Sequence, residues 1–143
     1  MREAIEEAKK GGLGGEVPVG ALLIGQSPEI LARDHNRCIE LNDPTAHAEI
    51  LVIRQAANLL ENYRLNGMTM IATVEPCPMC LGAIINARLE TLVFGAFDPK
   101  SGAAGSTLNL SDDRRLNHRL RVIPGVMEKE CRGVMQEFFR ERR

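Results

Sequence analysis

The stretches His47-Ala48-Glu49 and Pro76-Cys77-Pro78-Met79-Cys80 decide the fold of this chain and the chemistry it can perform. Together they supply one imidazole, two thiols and a carboxylate. Three protein ligands leave one position of a tetrahedral zinc ion open for water, which distinguishes a catalytic zinc site from a structural one. Because zinc lowers the pKa of that water to about 7, a neighbouring carboxylate can exchange protons with it near neutral pH.

The spacing of the first stretch predicts the start of a helix. Side chains two residues apart point to different sides of a helix, so His47 and Glu49 can share a target only if it lies beyond the helix N-terminus. Asp43 is the predicted N-cap and Pro44 the predicted first helical residue. Apolar residues at helical spacing continue this helix to about Leu60.

The second stretch predicts the same arrangement. Cys77 occupies the predicted N-cap, Pro78 the first helical position and Cys80 the first turn. A helix N-terminus favours negative charge and therefore stabilises the thiolates that zinc requires. We predict that two helix N-termini converge on one zinc ion per chain, held by His47, Cys77 and Cys80. Glu49 is the predicted catalytic acid and base.

Two other uses of the cysteine pair compete with this interpretation. A C-x-x-C pair can be a redox centre, but such a centre does not need a distant H-x-E. A closed structural zinc site needs a fourth ligand. The remaining cysteines and histidines form no second paired motif; they are His35, Cys38, His118 and Cys131. The pattern therefore favours the open, catalytic site.

Hydrophobic periodicity predicts a hairpin followed by strands that alternate with helices. The predicted strands are Val17–Ile24, Ile30–Arg33, Met68–Val74, Thr91–Gly95 and Arg121–Ile123. The predicted helices are Arg2–Lys10, which Gly11 and Gly12 stop, then about His47–Leu60, Pro78–Ala87 and a terminal helix with the inner face Met127, Cys131, Val134, Met135 and Phe138. This order predicts one α/β domain over residues 1–143, built as three layers around a mixed central sheet.

Composition and charge restrict the class of protein. The 4 cysteines, two of them in the zinc motif, favour a reducing cytoplasm over a disulfide framework. No transmembrane run and no signal peptide are expected. Residues 1–99 carry 8 basic and 13 acidic residues, a net charge of −5, whereas residues 100–143 carry 10 and 6, a net charge of +4. A basic C-terminal part is compatible with a surface that meets phosphates and equally with a solvated helix face.

Further motifs resemble those of the bacterial tRNA-specific adenosine deaminases, a branch of the zinc-dependent nucleoside and nucleobase deaminases. H-x-E with P-C-x-x-C indicates only the superfamily. The segments that resemble the branch cover nearly the whole chain; they are Glu16–Ala21, His35–Arg37, Asp43–Glu49, Asn62–Leu65, Glu75–Cys77, Val93–Ala96, Gly102–Ser106, Leu116–Arg119 and Phe138–Arg140. The resemblance implies a five-stranded α/β/α deaminase sandwich in which the last two strands run parallel.

The resemblance also implies an activity, which is hydrolytic deamination of adenosine to inosine at the wobble position of a tRNA anticodon. It implies a substrate contact for Asn36 and an RNA-lining loop that contains Asp98 and Lys100. At the C-terminus, Phe138 and Arg140 are the expected RNA contacts. Helical phase requires one ring of the Phe-Phe pair to be core and leaves the other to stack on a base. The family further implies a homodimer in the cytoplasm, with sites that use both subunits and no membrane partner.

Two alternative functions remain at this level. One is a zinc-dependent deaminase of a free nucleobase such as guanine or cytosine, against which the basic C-terminal part argues. The other is a zinc-stabilised RNA-binding module without catalysis, against which the intact Glu49 argues.

Overall fold

The computed structural model describes residues 1–143. Its helices are α1 (Arg2–Leu13), α2 (Ala48–Leu60), α3 (Pro78–Asn86) and α4 (Glu128–Glu141). Its strands are β1 (Gly20–Ile24), β2 (Ile30–His35), β3 (Thr69–Val74), β4 (Thr91–Ala96) and β5 (Arg121–Ile123). None of the helices combines the length and the hydropathy that crossing a bilayer requires.

A single five-stranded sheet in the order β2-β1-β3-β4-β5 forms the middle layer. β1 pairs antiparallel with β2 and β3, whereas β3, β4 and β5 run parallel. Helices α1 and α4 pack on the sheet and on each other, and α2 packs on the sheet and on α3. The predicted three-layer α/β/α fold with a mixed sheet and parallel last strands is therefore confirmed.

The apolar core lies mainly on the α2 and α3 side of the sheet. A cluster of 16 buried residues connects these helices to the sheet and includes Val52, Ile84 and Phe94. A cluster of only 3 buried residues lies on the other side, where α1 and α4 meet the sheet. Its members are Ile5 of α1, Ala96 of β4 and Cys131 of α4. Cys131 is thus the core residue that its helical phase predicts.

Helix α1 does not end where the sequence predicts. It continues through Gly11 and Gly12 to Leu13, so the prediction that the two glycines stop it is wrong. A Cβ on Gly11 would lie 3.0 Å from the ring of His35, and one on Gly12 would lie 3.3 Å from Pro18. The glycines therefore allow the helix to approach the sheet rather than break the chain.

Strand β1 begins at Gly20 and not at Val17. Pro18 has no N–H group with which to join a sheet ladder. The carbonyls of Val17 and Val19 accept hydrogen bonds from the side chain and the backbone of Asn36 instead. This short irregular segment thereby holds Asn36 at the end of β2.

Helix α2 begins at Ala48, with His47 as its N-cap, so the prediction of Asp43 as N-cap and Pro44 as first helical residue is wrong. Asp43 Oδ1 accepts hydrogen bonds from the backbone N–H of Thr45 at 2.8 Å and from its hydroxyl at 2.7 Å. These bonds close a tight turn, a use of aspartate that competes with helix capping.

The close approach of α1 to the sheet can be tested at Gly20, where a Cβ would overlap the backbone of Ala4 and Ala8. We expect Gly20→Ala to lower the free energy of unfolding by about 2–3 kcal/mol, measured by urea denaturation. Gly133 in α4 is the control, because nothing lies within 4 Å of an added Cβ there. Gly133→Ala should raise the free energy of unfolding by about 1 kcal/mol. Similar effects of the two substitutions would contradict the close approach.

Candidate active site

The N-termini of α2 and α3 meet beside the end of β3. His47 is the N-cap of α2 and Cys77 is the N-cap of α3. Neither side chain caps its own helix. The sulfur atoms of Cys77 and Cys80 lie 3.7 Å and 3.4 Å from Nδ1 of His47. The three predicted metal ligands are thus brought together in space.

The spacing of these donor atoms fits a tetrahedral zinc ion. All three lie within 4.8 Å of one another. Zinc–sulfur bonds of about 2.3 Å and zinc–nitrogen bonds of about 2.0–2.1 Å, at tetrahedral angles, place sulfur and nitrogen donors about 3.6 Å apart. The observed separations match this value, and one imidazole with two thiols is a donor set that zinc favours.

A side chain from another part of the chain accepts the hydrogen bond of a free backbone N–H group at the start of α2. Asn36 Oδ1 accepts a hydrogen bond of 2.9 Å from the N–H of Ala48, and its Nδ2 donates one of 3.1 Å to the carbonyl of Val17. Asn36 therefore does the capping that the sequence assigned to Asp43. As a consequence, the imidazole of His47 is available as a ligand although it belongs to the N-cap residue.

Glu49 has an unusual environment for a carboxylate. Its side chain is buried, and its Oε2 atom is the one buried side-chain oxygen or nitrogen that has no hydrogen-bond partner. Burial raises the pKa of Glu49 above its ordinary value. A buried polar atom without a partner is rare in folded proteins and indicates a function or a missing ligand.

The pKa values of the two thiols are shifted in opposite directions. Hydrogen bonds with Cys80 and with His47 together lower the pKa of Cys77 to about 4. The same contact and burial raise the pKa of Cys80. The hydrogen bond with Cys77 raises the pKa of His47. Cys77 is therefore the more acidic of the two thiols, and metal binding at this pair would require Cys80 to release its proton.

The cluster lies in a cavity of about 370 Å³. His47, Glu49 and Cys77 line it, and so do Asn36 and Asp98 among the predicted substrate contacts. Other lining residues, which the sequence does not mark as part of the site, include Glu16, Cys38, Ile39, Glu75, Ser101 and Met135. Glu75 directly precedes P-C-x-x-C, a position that could have drawn attention to it. Met135 carries no such signal, because its helical phase only suggests a core residue.

A second, basic groove of about 770 Å³ adjoins this cavity. Met135 lines both, so the two spaces are neighbours. The groove contains Lys100 and Arg140, which were predicted to contact RNA, together with Phe139, Arg142 and Arg143. Apart from the buried Cys80 and Phe138, the predicted site residues therefore divide between a cavity around the metal ligands and an outer groove.

Phe138 belongs to neither space. Its side chain is 8% exposed, whereas Phe139 is 46% exposed. The guanidinium of Arg142 lies 3.5 Å from the centre of the Phe138 ring and donates a hydrogen bond to the Phe138 carbonyl. Phe138 is therefore the core member of the pair, which does not fit the RNA contact expected of it, and the exposed ring that lines the groove is that of Phe139.

Comparisons with known proteins agree over the full length of the chain. A family model described as MafB19-like deaminase matches residues 1–143. The tRNA-specific adenosine deaminase of Bacillus subtilis is 50% identical over 143 residues, which cover 100% of this chain and 88% of that protein. A solved tRNA:A34 deaminase, studied for A-to-I editing at the wobble position, is 42% identical with a TM-score of 0.91, and the match covers 94% of this chain and 96% of that one.

A guanine deaminase of Bacillus subtilis is similar over a smaller region. It is 36% identical with a TM-score of 0.66, and the match covers 73% of this chain and 67% of that one. The tRNA-specific relative is matched over the whole chain and at higher identity. The chain therefore belongs to the tRNA-specific adenosine deaminases, within the MafB19-like deaminase family.

Proposed function

We propose that this protein deaminates adenosine to inosine at the wobble position of a tRNA anticodon. One observation carries the proposal: the unpartnered carboxylate oxygen of Glu49 lies in the same cavity as a His-Cys-Cys cluster that fits zinc. The basic groove beside this cavity supports an RNA substrate, and the identity to tRNA-specific relatives supports the same reaction.

His47, Cys77 and Cys80 would hold one zinc ion, which when bound supplies the means of ionising a water molecule near neutral pH. Glu49 accepts a proton from the attacking water and delivers it to N1 of adenine as the oxygen adds to C6. Glu49 then accepts the second proton from the hydroxyl group that has formed on C6 and hands it to the amino group. The bond from C6 to that nitrogen breaks, C6 becomes a carbonyl carbon, and ammonia leaves. Adenosine and water become inosine and ammonia. A buried carboxylate suits this role, since it exchanges protons with the substrate rather than with bulk solvent.

Asn36 is proposed to recognise the base. Its side chain is buried at the cavity wall, and one of its two amide hydrogens is used by Val17. The other amide hydrogen is left for an acceptor atom of the base. The bonds of Asn36 to Val17 and Ala48 fix the amide before substrate arrives.

The outer groove is proposed to bind the anticodon loop. Lys100, Arg140 and Arg143 supply positive charge for phosphates, and the exposed ring of Phe139 supplies a surface on which an unstacked base can lie. Arg142 differs from its neighbours, because its guanidinium is occupied by the ring and the carbonyl of Phe138.

The proposal includes a cytoplasmic homodimer. Leu59 and Leu60 at the end of α2 are 63% and 39% exposed, and Tyr63, which follows the helix, is 70% exposed. Several exposed apolar residues within one short segment are typical of protein interfaces. A reducing compartment keeps the two cysteine ligands available for metal.

Mutations are expected to distinguish the role of the metal ligands from the role of the acid. We expect wild-type protein to hold one zinc ion per chain by atomic absorption. His47→Ala should lose the metal and melt at lower temperature, because metal binding and folding are coupled. Glu49→Gln should retain both zinc and melting temperature but lose at least a thousandfold in kcat. Near-normal turnover of Glu49→Gln would contradict the proposed mechanism.

Substrate choice distinguishes this proposal from deamination of a free base. A cavity of about 370 Å³ would admit free guanine, but a free base makes no use of the basic groove. We expect an anticodon stem-loop with a wobble adenosine to give inosine with a kcat/KM at least a hundredfold above the values for free adenosine, cytidine and guanine. Ammonia release measures all four reactions on one scale. Guanine turnover without stem-loop turnover would establish the alternative instead.

Phosphate contacts in the groove are expected to appear in the salt dependence of binding. Each contact to a single strand contributes a slope of about −0.7 in a plot of log affinity against log salt. Arg140→Ala and Arg143→Ala should each flatten the slope by about this amount for the stem-loop. Lys129→Ala, which removes one charge near the opposite end of α4 and outside the groove, is the matched control. Equal slopes for all three variants would exclude the groove as the phosphate-binding surface.

A further inference from the structure

Glu75 is a buried carboxylate that the reaction as described does not use. It follows the last residue of β3, precedes Pro76 and Cys77, and is 2% exposed. No lysine, arginine or histidine pairs with it: it takes part in none of the salt bridges of the protein. A buried charge without a counter-ion requires several hydrogen-bond donors.

All of these donors belong to one loop, residues 98–106. Glu75 Oε1 accepts hydrogen bonds from the backbone N–H of Ala104 at 3.1 Å and of Ser106 at 3.0 Å. Glu75 Oε2 accepts one from the backbone N–H of Asp98 at 3.0 Å and one from the hydroxyl of Ser106. A Cβ on Gly102 would overlap the carboxylate, so the loop wraps closely around it.

The same loop forms one wall of the substrate space. Asp98 and Ser101 line the cavity, and Lys100 lines the basic groove. The side chain of Asp98 accepts hydrogen bonds from the N–H groups of Lys100 and Ser101 and from the Ser101 hydroxyl, so it shapes the tip of the loop. The carboxylate that was expected to contact the substrate is therefore already used in hydrogen bonds within the loop.

A second bond ties the loop to the turn that carries the metal ligands. The N–H of Ala103 donates to the carbonyl of Pro76 at 2.9 Å. The loop is thus fixed relative to Cys77 by the Glu75 carboxylate and by the backbone of the next residue. A shift of this loop would move the cavity wall with little direct effect on His47 or Cys80, which lie on α2 and α3.

We propose that Glu75 is a positioning residue that holds loop 98–106 as the RNA-facing wall of the active site. The inference rests on the proposed function, because it concerns how that substrate is held. Glu75 acts through the loop, because all four of its hydrogen bonds go to residues 98–106. Its loss should weaken substrate binding and leave the metal site and the chemical step in place.

The isosteric substitution Glu75→Gln is the sharpest test. Three of the four partners are backbone N–H groups, which can only donate, and each carboxylate oxygen accepts from at least one of them. An amide NH₂ group in place of either oxygen therefore opposes at least one N–H group and leaves it unpaired. We expect KM for the stem-loop to rise at least tenfold, kcat to change less than threefold and zinc to remain at one ion per chain. Ser106→Ala, which removes the hydroxyl alone, should raise KM by about threefold. Combined with Glu75→Gln it should have no additional effect, because the two side chains form one contact.

Amide hydrogen exchange gives a readout that does not depend on activity. The amides of Asp98, Ala104 and Ser106 should exchange at least tenfold faster in Glu75→Gln, while the amides of β3 keep their wild-type rates. If Glu75→Gln does not fold, Gly102→Ala perturbs the same contact from the loop, because its Cβ would overlap the Glu75 carboxylate, and it should give the same pattern.

Unchanged exchange in the loop, equal acceleration throughout the protein, or an unchanged KM would each overturn the inference. Loss of the proposed function appears differently, as wild-type protein that does not deaminate the stem-loop, and the exchange experiment still decides the role of Glu75.

Discussion

The structure depends on the convergence of two helix N-termini at metal-binding distance. The donor atoms of His47, Cys77 and Cys80 come from chain segments that are far apart in sequence, yet they lie 3.4–3.7 Å apart across the two helices. The sheet order brings this about. β2 and β3 both run antiparallel to β1, so these two strands end at the same edge of the sheet. α2 follows β2 and α3 follows β3, so both helices begin at that edge. Both helix ends present the positive end of a helix dipole, which favours the thiolate form of cysteine.

This convergence requires N-cap residues that do not cap. An N-cap side chain normally bonds to the first N–H groups of its own helix. At α2 that demand is met by Asn36 from the end of β2, through a 2.9 Å bond from Ala48. His47 can then direct its imidazole at a metal without leaving the helix end unsatisfied. Asn36 is in turn held by the carbonyl of Val17, so an irregular segment before β1 contributes to the geometry of the site.

These contacts mark the limit of what the sequence predicts. The strand and helix order, the sheet type and the grouping of His47 with Cys77 and Cys80 follow from periodicity and from ligand spacing, which are local signals. The incorrect start of α2 comes from a local rule, since Asp43 and Pro44 form a typical helix start but Asn36 competes successfully from 12 residues away. The end of α1 is misjudged for the same reason. Gly11 and Gly12 look like breakers locally, whereas the contact that requires them is with β2 and Pro18.

The hydrogen-bond partners of the three buried glutamates in the cavity distinguish a structural role from a chemical one. Glu16 accepts two backbone N–H groups, from Ile39 and Glu40, at 2.8 Å and 2.9 Å. Glu75 accepts four hydrogen bonds from loop 98–106. In both, hydrogen bonds from a loop replace the water lost on burial, so the carboxylate stabilises the shape of the wall.

Glu49 alone keeps an oxygen without a partner. Leaving such a group unpaired costs about 1–3 kcal/mol, a cost that is offset only if another species occupies the position in the working enzyme. The same cavity therefore contains two carboxylates whose hydrogen bonds hold loops and one whose free oxygen fits the proposed proton exchange with a substrate.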